Sequence, residues 1–170
     1  YIFTHNMIHE RFQTYFRENF FQNTPEEFQA FLRAIEEPIP RTIRIKPEHR
    51  SEVMSRLAWD GWILGETPIT GVFSLDRKSD FNPLERRIGY SLDHLVGNFY
   101  IQELAAAHPV SLLANWEIQS GEYLILDMAS SPGGKTTQLS EYFPNSFIVA
   151  NEPTRERIPQ LLQNLDRMWS

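Results

Sequence analysis

The sequence predicts a mixed α/β chain in three successive parts, and three observations predict it. Apolar residues recur at helical spacing through the N-terminal forty or so residues. A middle segment then alternates short β-patterned runs with a single helix. Finally, residues 123–152 read as strand, small-residue loop, helix and strand, the order that builds a parallel sheet.

Two helices open the chain. Ile8, Phe12, Tyr15, Phe16 and Phe20 mark one apolar stripe. Thr24-Pro25-Glu26-Glu27 reads as a capping box with proline in the first helical position, and Phe28, Phe31, Leu32 and Ile35 follow on one face. Pro38 and Pro40 end that helix. The aromatic stripes have the period of a packed helix pair rather than of a base-stacking surface. A strand is expected over 42–45 around Ile43 and Ile45. A helix is expected over 47–58, with Val53, Met54 and Leu57 inward and Gly61 at its end. Strands over 69–75 and 88–91 are expected to flank a basic loop, 76–87, giving a β-α-β-β unit. Trp59 and Trp62, on either side of Gly61, are read as packing residues. A helix over 102–114, limited or bent at Pro109, leads to Gly121 and the strand at Tyr123. The last helix, about 155–168, carries Ile158, Leu161, Leu162 and Leu165, with Pro159 in its first turn. Asp93, His94 and Gly97 interrupt the pattern, so two domains are expected, 1–92 and 93–170.

The most informative stretch is Tyr123–Thr137. Leu124, Ile125 and Leu126 lead to Asp127, followed by a loop in which Ala129, Ser130, Ser131, Pro132, Gly133 and Gly134 precede Lys135 and a helix. Small residues let a ligand approach the backbone, and a helix start offers unsatisfied N–H groups with a partial positive charge. The run from Ala129 to Thr136 also approaches a phosphate-binding P-loop, with alanine in place of its first glycine. The next strand, 147–150, ends in Asn151-Glu152, and an acid there is placed to accept both ribose hydroxyls of an adenosine-containing cofactor. Carboxylates near the loop would repel a triphosphate, so a nucleoside with a cationic or zwitterionic tail is the better ligand.

DMASSPGGKTTQL followed by ANEPTRERIPQLLQNLDR resembles motifs I and II of the Sun/RsmF-type (NOL/NOP/Sun) RNA cytosine-5 methyltransferases. The segment Gly97–Glu103 resembles the one preceding their first Rossmann strand, and Arg41-Thr42-Ile43-Arg44-Ile45-Lys46-Pro47 resembles their R-x-N-x-L-K strand. The resemblance covers about residues 40–170. Two departures stand out: Ser130-Ser131 replaces Ala-Ala, and Ala129 occupies a position often held by cysteine. The resemblance implies N-terminal helices and a small RRM-like α+β domain, then the first half of a Rossmann-like class I methyltransferase domain. It implies S-adenosyl-L-methionine (AdoMet) bound by Ala129–Lys135 and Glu152, and RNA contacted by Arg41, Arg44 and Lys46. Ribosomal RNA is favoured over transfer RNA by the motif II wording.

Composition sets further bounds. The 170 residues are 41% hydrophobic and 22% charged, as in a folded soluble chain, and no apolar run approaches the ~20 residues of a membrane span. The N-terminus lacks the basic start and apolar block of a secretion signal, so a cytoplasmic location is expected. The net charge of −6 is unusual for an RNA-binding chain, but it is uneven: residues 41–100 hold nine basic against eight acidic residues, whereas the flanking parts are acidic. There is no cysteine, and the resembled family attacks cytosine carbon 6 with a thiolate from later motifs. The catalytic half is therefore expected to lie outside these residues, in a C-terminal remainder of the same protein, with no catalytic residue here. His5, His9, His49, His94 and His108 are scattered without a ligand pattern, so no metal site is expected. Two rival readings are a non-catalytic RNA- or partner-binding relic of the fold and a P-loop-like nucleoside-triphosphate enzyme.

Overall fold

The computed structural model describes residues 9–77, 87–115 and 121–169. Packing separates two compact units, residues 1–39 and 40–170. The expected division at 92/93 falls inside the second unit. His5, Ile8 and the core of the expected basic loop, with Lys78 and Arg86, lie outside the described residues.

In the first unit, α1 (Glu10–Phe20) and α2 (Pro25–Glu36) form where periodicity places them. Pro25 occupies the first turn of α2, but Thr24 makes no side-chain capping bond, so the expected capping box is not closed. The stripes meet as an aromatic cluster, with ring centroids of Phe16 and Phe31 5.0 Å apart and of Phe21 and Phe31 5.1 Å apart. The outer side of that cluster is open: Tyr15 and Phe20 are more than half exposed.

The second unit contains a four-stranded antiparallel sheet and a two-stranded parallel one. The first comprises β1 (Arg41–Ile45), β2 (Trp62–Glu66), β3 (Val72–Arg77) and β4 (Phe99–Ile101), in the order β2-β3-β1-β4. A turn at Pro47–His49 starts α3 (Arg50–Trp59), which ends at Asp60 and Gly61, whose φ of 82° suits glycine. This differs from the expected strands in two ways. Residues 88–91 form a short 3-10 turn, Ile88–Tyr90, and their place in the sheet is taken by β2 and β4. Trp62 is buried in β2 beneath the Arg77 guanidinium (4.8 Å), whereas Trp59 is almost fully exposed rather than packed.

Strand β1 is buried on both faces and so joins the two layers of this unit. Ile43 and Ile45 point into a core with Val53, Leu57, Phe73 and Phe99. The opposite face, Thr42, Arg44 and Lys46, is buried as well. After α4 (Leu92–Leu95), whose Asp93 is bonded to Arg56 of α3, the chain builds a second layer of α5 (Leu104–Asn115), β5 (Leu124–Asp127), α6 (Gly134–Tyr142), β6 (Phe147–Ala150) and α7 (Ile158–Trp169), and α6 covers Arg44. α5 runs through Pro109 without ending there. Leu124 pairs with Phe147 and Asp127 with Ala150, so β5 and β6 run parallel with α6 as their crossover. Ile125 and Ile148 pack toward Val110, Leu139 and Phe143. Leu124, Leu126, Phe147 and Val149 point the other way and are exposed.

Candidate functional site: a braced loop at a helix start

The parallel pair brings the ends of β5 and β6 together, and the loop before α6 rises between them. Its shape is fixed by side chains it does not expose. Asp127 Oδ2 accepts from the Thr136 hydroxyl at 2.6 Å and Oδ1 from the Ala129 N–H at 3.3 Å. The Ser130 hydroxyl donates to the Asp127 carbonyl (3.0 Å), and the Ser130 amide to the Asn151 carbonyl (3.0 Å). The Ser131 hydroxyl donates to the Arg157 carbonyl (3.0 Å), and Arg157 returns a bond to the Ser131 carbonyl (2.8 Å). Both serines are buried, so the departure from Ala-Ala adds two hydroxyl braces, one back to the end of β5 and one to the turn before α7. Asn151 and Asn164 hold the carbonyls of Met128 (2.9 Å) and Pro132 (2.8 Å).

The backbone favours glycine at Gly133, and space is tight at Gly134. Gly133 has φ of 113°, and a Cβ there would sit 3.4 Å from both Leu161 and Asn164 of α7. A Cβ on Gly134 would sit 3.2 Å from the Tyr100 ring. Gly133 is also the N-cap of α6 and brings no capping side chain, so the first-turn amides are left for a ligand. Pro132 and Lys135 are exposed beside them.

Glu152 ends β6 on the neighbouring lip. Its side chain is 2% exposed, Oε1 accepts from the Thr154 N–H at 2.8 Å, and Oε2 lies 3.5 Å from Arg157 without a hydrogen bond. The Thr154 amide, with the nearby Arg157, holds the carboxyl below its ordinary range against the opposing effect of burial. An ionised acid whose second oxygen is ion-paired with Arg157 but accepts no hydrogen bond keeps acceptor capacity for a ribose diol, so the residues fit the nucleoside part of the expected cofactor. They do not fit the triphosphate reading. In a P-loop the threonine hydroxyl binds magnesium, whereas Thr136 is bonded to Asp127.

The expected RNA contacts divide. Arg41 is exposed at the start of β1. Arg44 is 1% exposed and is corrected to a structural role: its guanidinium donates to Glu141 Oε2 and Oε1 (2.8 and 3.0 Å), to the Thr137 hydroxyl (2.8 Å), to the Gly134 carbonyl (2.9 Å) and to Gln102. Those bonds leave it no donor for a phosphate. Lys46 is 8% exposed on the same buried face. Sequence reasoning missed the braces themselves, among them Thr136, Asn151, Arg157 and Asn164. Among the described residues no cluster of histidines and acids could hold a metal, and no helix is long and apolar enough to cross a membrane.

A parallel strand–loop–helix–strand unit with a glycine-rich helix start and an acid after its second strand is the opening of a Rossmann-like domain. Residues 114–170 match the family of 16S rRNA methyltransferase RsmB/F. Ribosomal RNA small subunit methyltransferase F of Shewanella woodyi is 35% identical over 144 residues, covering 81% of this chain and 29% of the relative. The protein of that name from Vibrio cholerae is 34% identical over 149 residues, covering 84% and 30%. A methyltransferase homolog protein from Pyrococcus horikoshii superposes with a TM-score of 0.75 at 27% identity, over 91% of this chain and 48% of that one. NSun6 from the same organism, solved with SFG, shares the fold: TM-score 0.70 at 14% identity, covering 95% and 63%. Over most of its length the chain is similar to the N-terminal portion of Sun/RsmF-type methyltransferases. It spans less than a third of the length of the curated relatives it matches.

Proposed function

We propose that the chain supplies the cofactor loop and part of the RNA-binding surface of an AdoMet-dependent RNA cytosine-5 methyltransferase acting on ribosomal RNA in the cytoplasm. The observation that carries this reading is the braced loop at the start of α6 beside the buried, half-satisfied carboxylate of Glu152. Residues 93–170 would open the methyltransferase domain, and residues 1–92 would contribute to RNA binding.

The cofactor would supply a sulfonium methyl group to a nucleophilic base carbon. The chain's own residues would act by positioning. Glu152 would accept from the ribose hydroxyls. The backbone of Ala129, Ser130, Ser131, Pro132, Gly133, Gly134 and Lys135 would line the amino-acid tail, with the α6 amides favouring its carboxylate. The 170 residues include no cysteine, so the thiolate for addition at cytosine carbon 6 would come from a C-terminal remainder of the protein. The exposed apolar face formed by Leu124, Leu126, Phe147 and Val149 supports that placement, because a doubly wound sheet buries both faces. Arg41 would contact phosphate from the exposed start of β1.

Label transfer from radioactive AdoMet to unmodified small-subunit ribosomal RNA tests the proposal. Residues 1–170 alone are expected to give no 5-methylcytosine, and a form extended to the relatives' full length is expected to give it. Labelled cytosine from the isolated chain, or none from the extended protein, would contradict the reading.

A further inference from the structure

The cation that the site does not use is Arg50. It starts α3 beside a cleft of about 440 Å³ lined from both layers of the second unit. The cleft is remote in sequence from the cofactor loop and meets the other end of α6, at Glu141 and Tyr142. Its walls come from the β2–β3 turn (Ile69, Thr70 and Gly71) and from His108 and Ser111 of α5. The Tyr142 hydroxyl donates to the Thr70 carbonyl at 3.1 Å and ties the two walls together.

Charge in this cleft is unbalanced. Arg44 and Glu141 form a bidentate pair and cancel each other. Arg50 has no carboxylate partner among the described residues, and its buried Nε has no hydrogen-bond acceptor. It is nevertheless held in place: its guanidinium lies 5.8 Å from the Phe73 ring centroid, and a Cβ at Gly71 would come within 3.3 Å of one terminal nitrogen. A preorganised guanidinium without a counter-ion, in a cleft also lined by a histidine, is a receptor for an oxyanion. The volume falls in the range of small-ligand pockets and is large enough for a nucleotide.

We propose that this cleft binds a phosphate group of a nucleotide, with Arg50 as its anchor and His108 beside it. The source is either a free nucleotide or an RNA strand passing the cleft. The RNA source rests on the function proposed above; the phosphate chemistry does not. The test is nuclear magnetic resonance titration of the chain with inorganic phosphate, cytidine 5′-monophosphate and a short RNA in turn. Binding is expected to shift the Thr70 and Gly71 amides and the His108 ring. Arg50→Gln should weaken nucleotide binding about tenfold or more, while Arg50→Lys, which keeps the charge and loses the fork, should fall between that variant and the parent. Inorganic phosphate should compete with the nucleotide. Displacement of the nucleotide by RNA identifies the strand as the source, and its failure identifies the free nucleotide. AdoMet binding, measured alongside, should be unchanged in Arg50→Gln, which separates this inference from the cofactor assignment. Equal affinity in Arg50→Gln, no shift at millimolar ligand, or shifts confined to Ala129–Lys135 would overturn the proposal. Should Arg50→Gln fail to fold, the map on the parent chain decides between those outcomes.

Discussion

Replacing Arg44 with methionine is the sharpest perturbation of this fold. The side chain is 1% exposed and its partner Glu141 16% exposed, so the pair is shielded from water and salt. Methionine keeps much of the volume but strands the Glu141 carboxylate, the Gln102 amide oxygen and the Gly134 carbonyl, each of which now accepts from Arg44. Removing one partner of a buried pair costs about 3–5 kcal/mol, a large part of a typical domain's stability. Equilibrium urea unfolding followed by circular dichroism would register this as a lower midpoint at unchanged slope. The double variant Arg44→Met/Glu141→Leu removes both charges and should recover most of the loss, because buried ion pairs are often replaceable by apolar residues. The same bonds tether the first residue of α6, so the single variant should also weaken cofactor binding. A loss below about 1 kcal/mol for the single variant would refute the assignment of Arg44 as the buried tie between the two layers.

Two further substitutions probe the neighbouring packing. Gly97→Ala forces a side chain onto φ of 78° and drives its Cβ into the Arg167 carbonyl oxygen of α7, so a loss of about 2–5 kcal/mol in the same unfolding assay is expected. His94 is pushed down to about 4 by burial and by the nearby Arg167, which donates toward its Nδ1 at 3.2 Å. A histidine whose folded pKa is depressed stabilises the fold above its unfolded value near 6.5, and that contribution fades as pH falls from 6.5 through 4. Denaturation midpoints across that window should fall less steeply in His94→Gln than in the parent; identical slopes would show that His94 does not carry the effect.

Much of the architecture is legible in the sequence because local signals agree. The loop from Ala129 to Gly134 has glycines where the backbone needs them, and its flanks carry unambiguous strand and helix patterns. The strands that periodicity misses are short and weakly marked. β2 is five residues with an internal glycine, directly after a helix-ending turn, and β4 is only three residues long. Residues 88–91 have the apolar content of a strand but close into a 3-10 turn, with the Ser91 N–H bonded to the Ile88 carbonyl at 3.2 Å. Arg44 misleads for a different reason. Thr42, Arg44 and Lys46 alternate with isoleucines as a solvated face would, yet α6 covers that face with Thr137 and Glu141. A long-range complement of that kind leaves no trace in local periodicity. The same holds for the outer braces of the loop before α6, since Arg157 reaches it from the turn before α7 and Asn164 from α7 itself.

Everything proposed for the chain's chemistry depends on the loop before α6 and the acid after β6 forming one AdoMet site. Isothermal titration of AdoMet into the protein extended to the relatives' length, repeated with Glu152→Ala, tests it most directly. The expected result is saturable binding that drops about tenfold or more when the ribose-facing carboxylate is removed, with the variant still folded. Affinity unchanged in Glu152→Ala, or no binding to the parent protein, would contradict it.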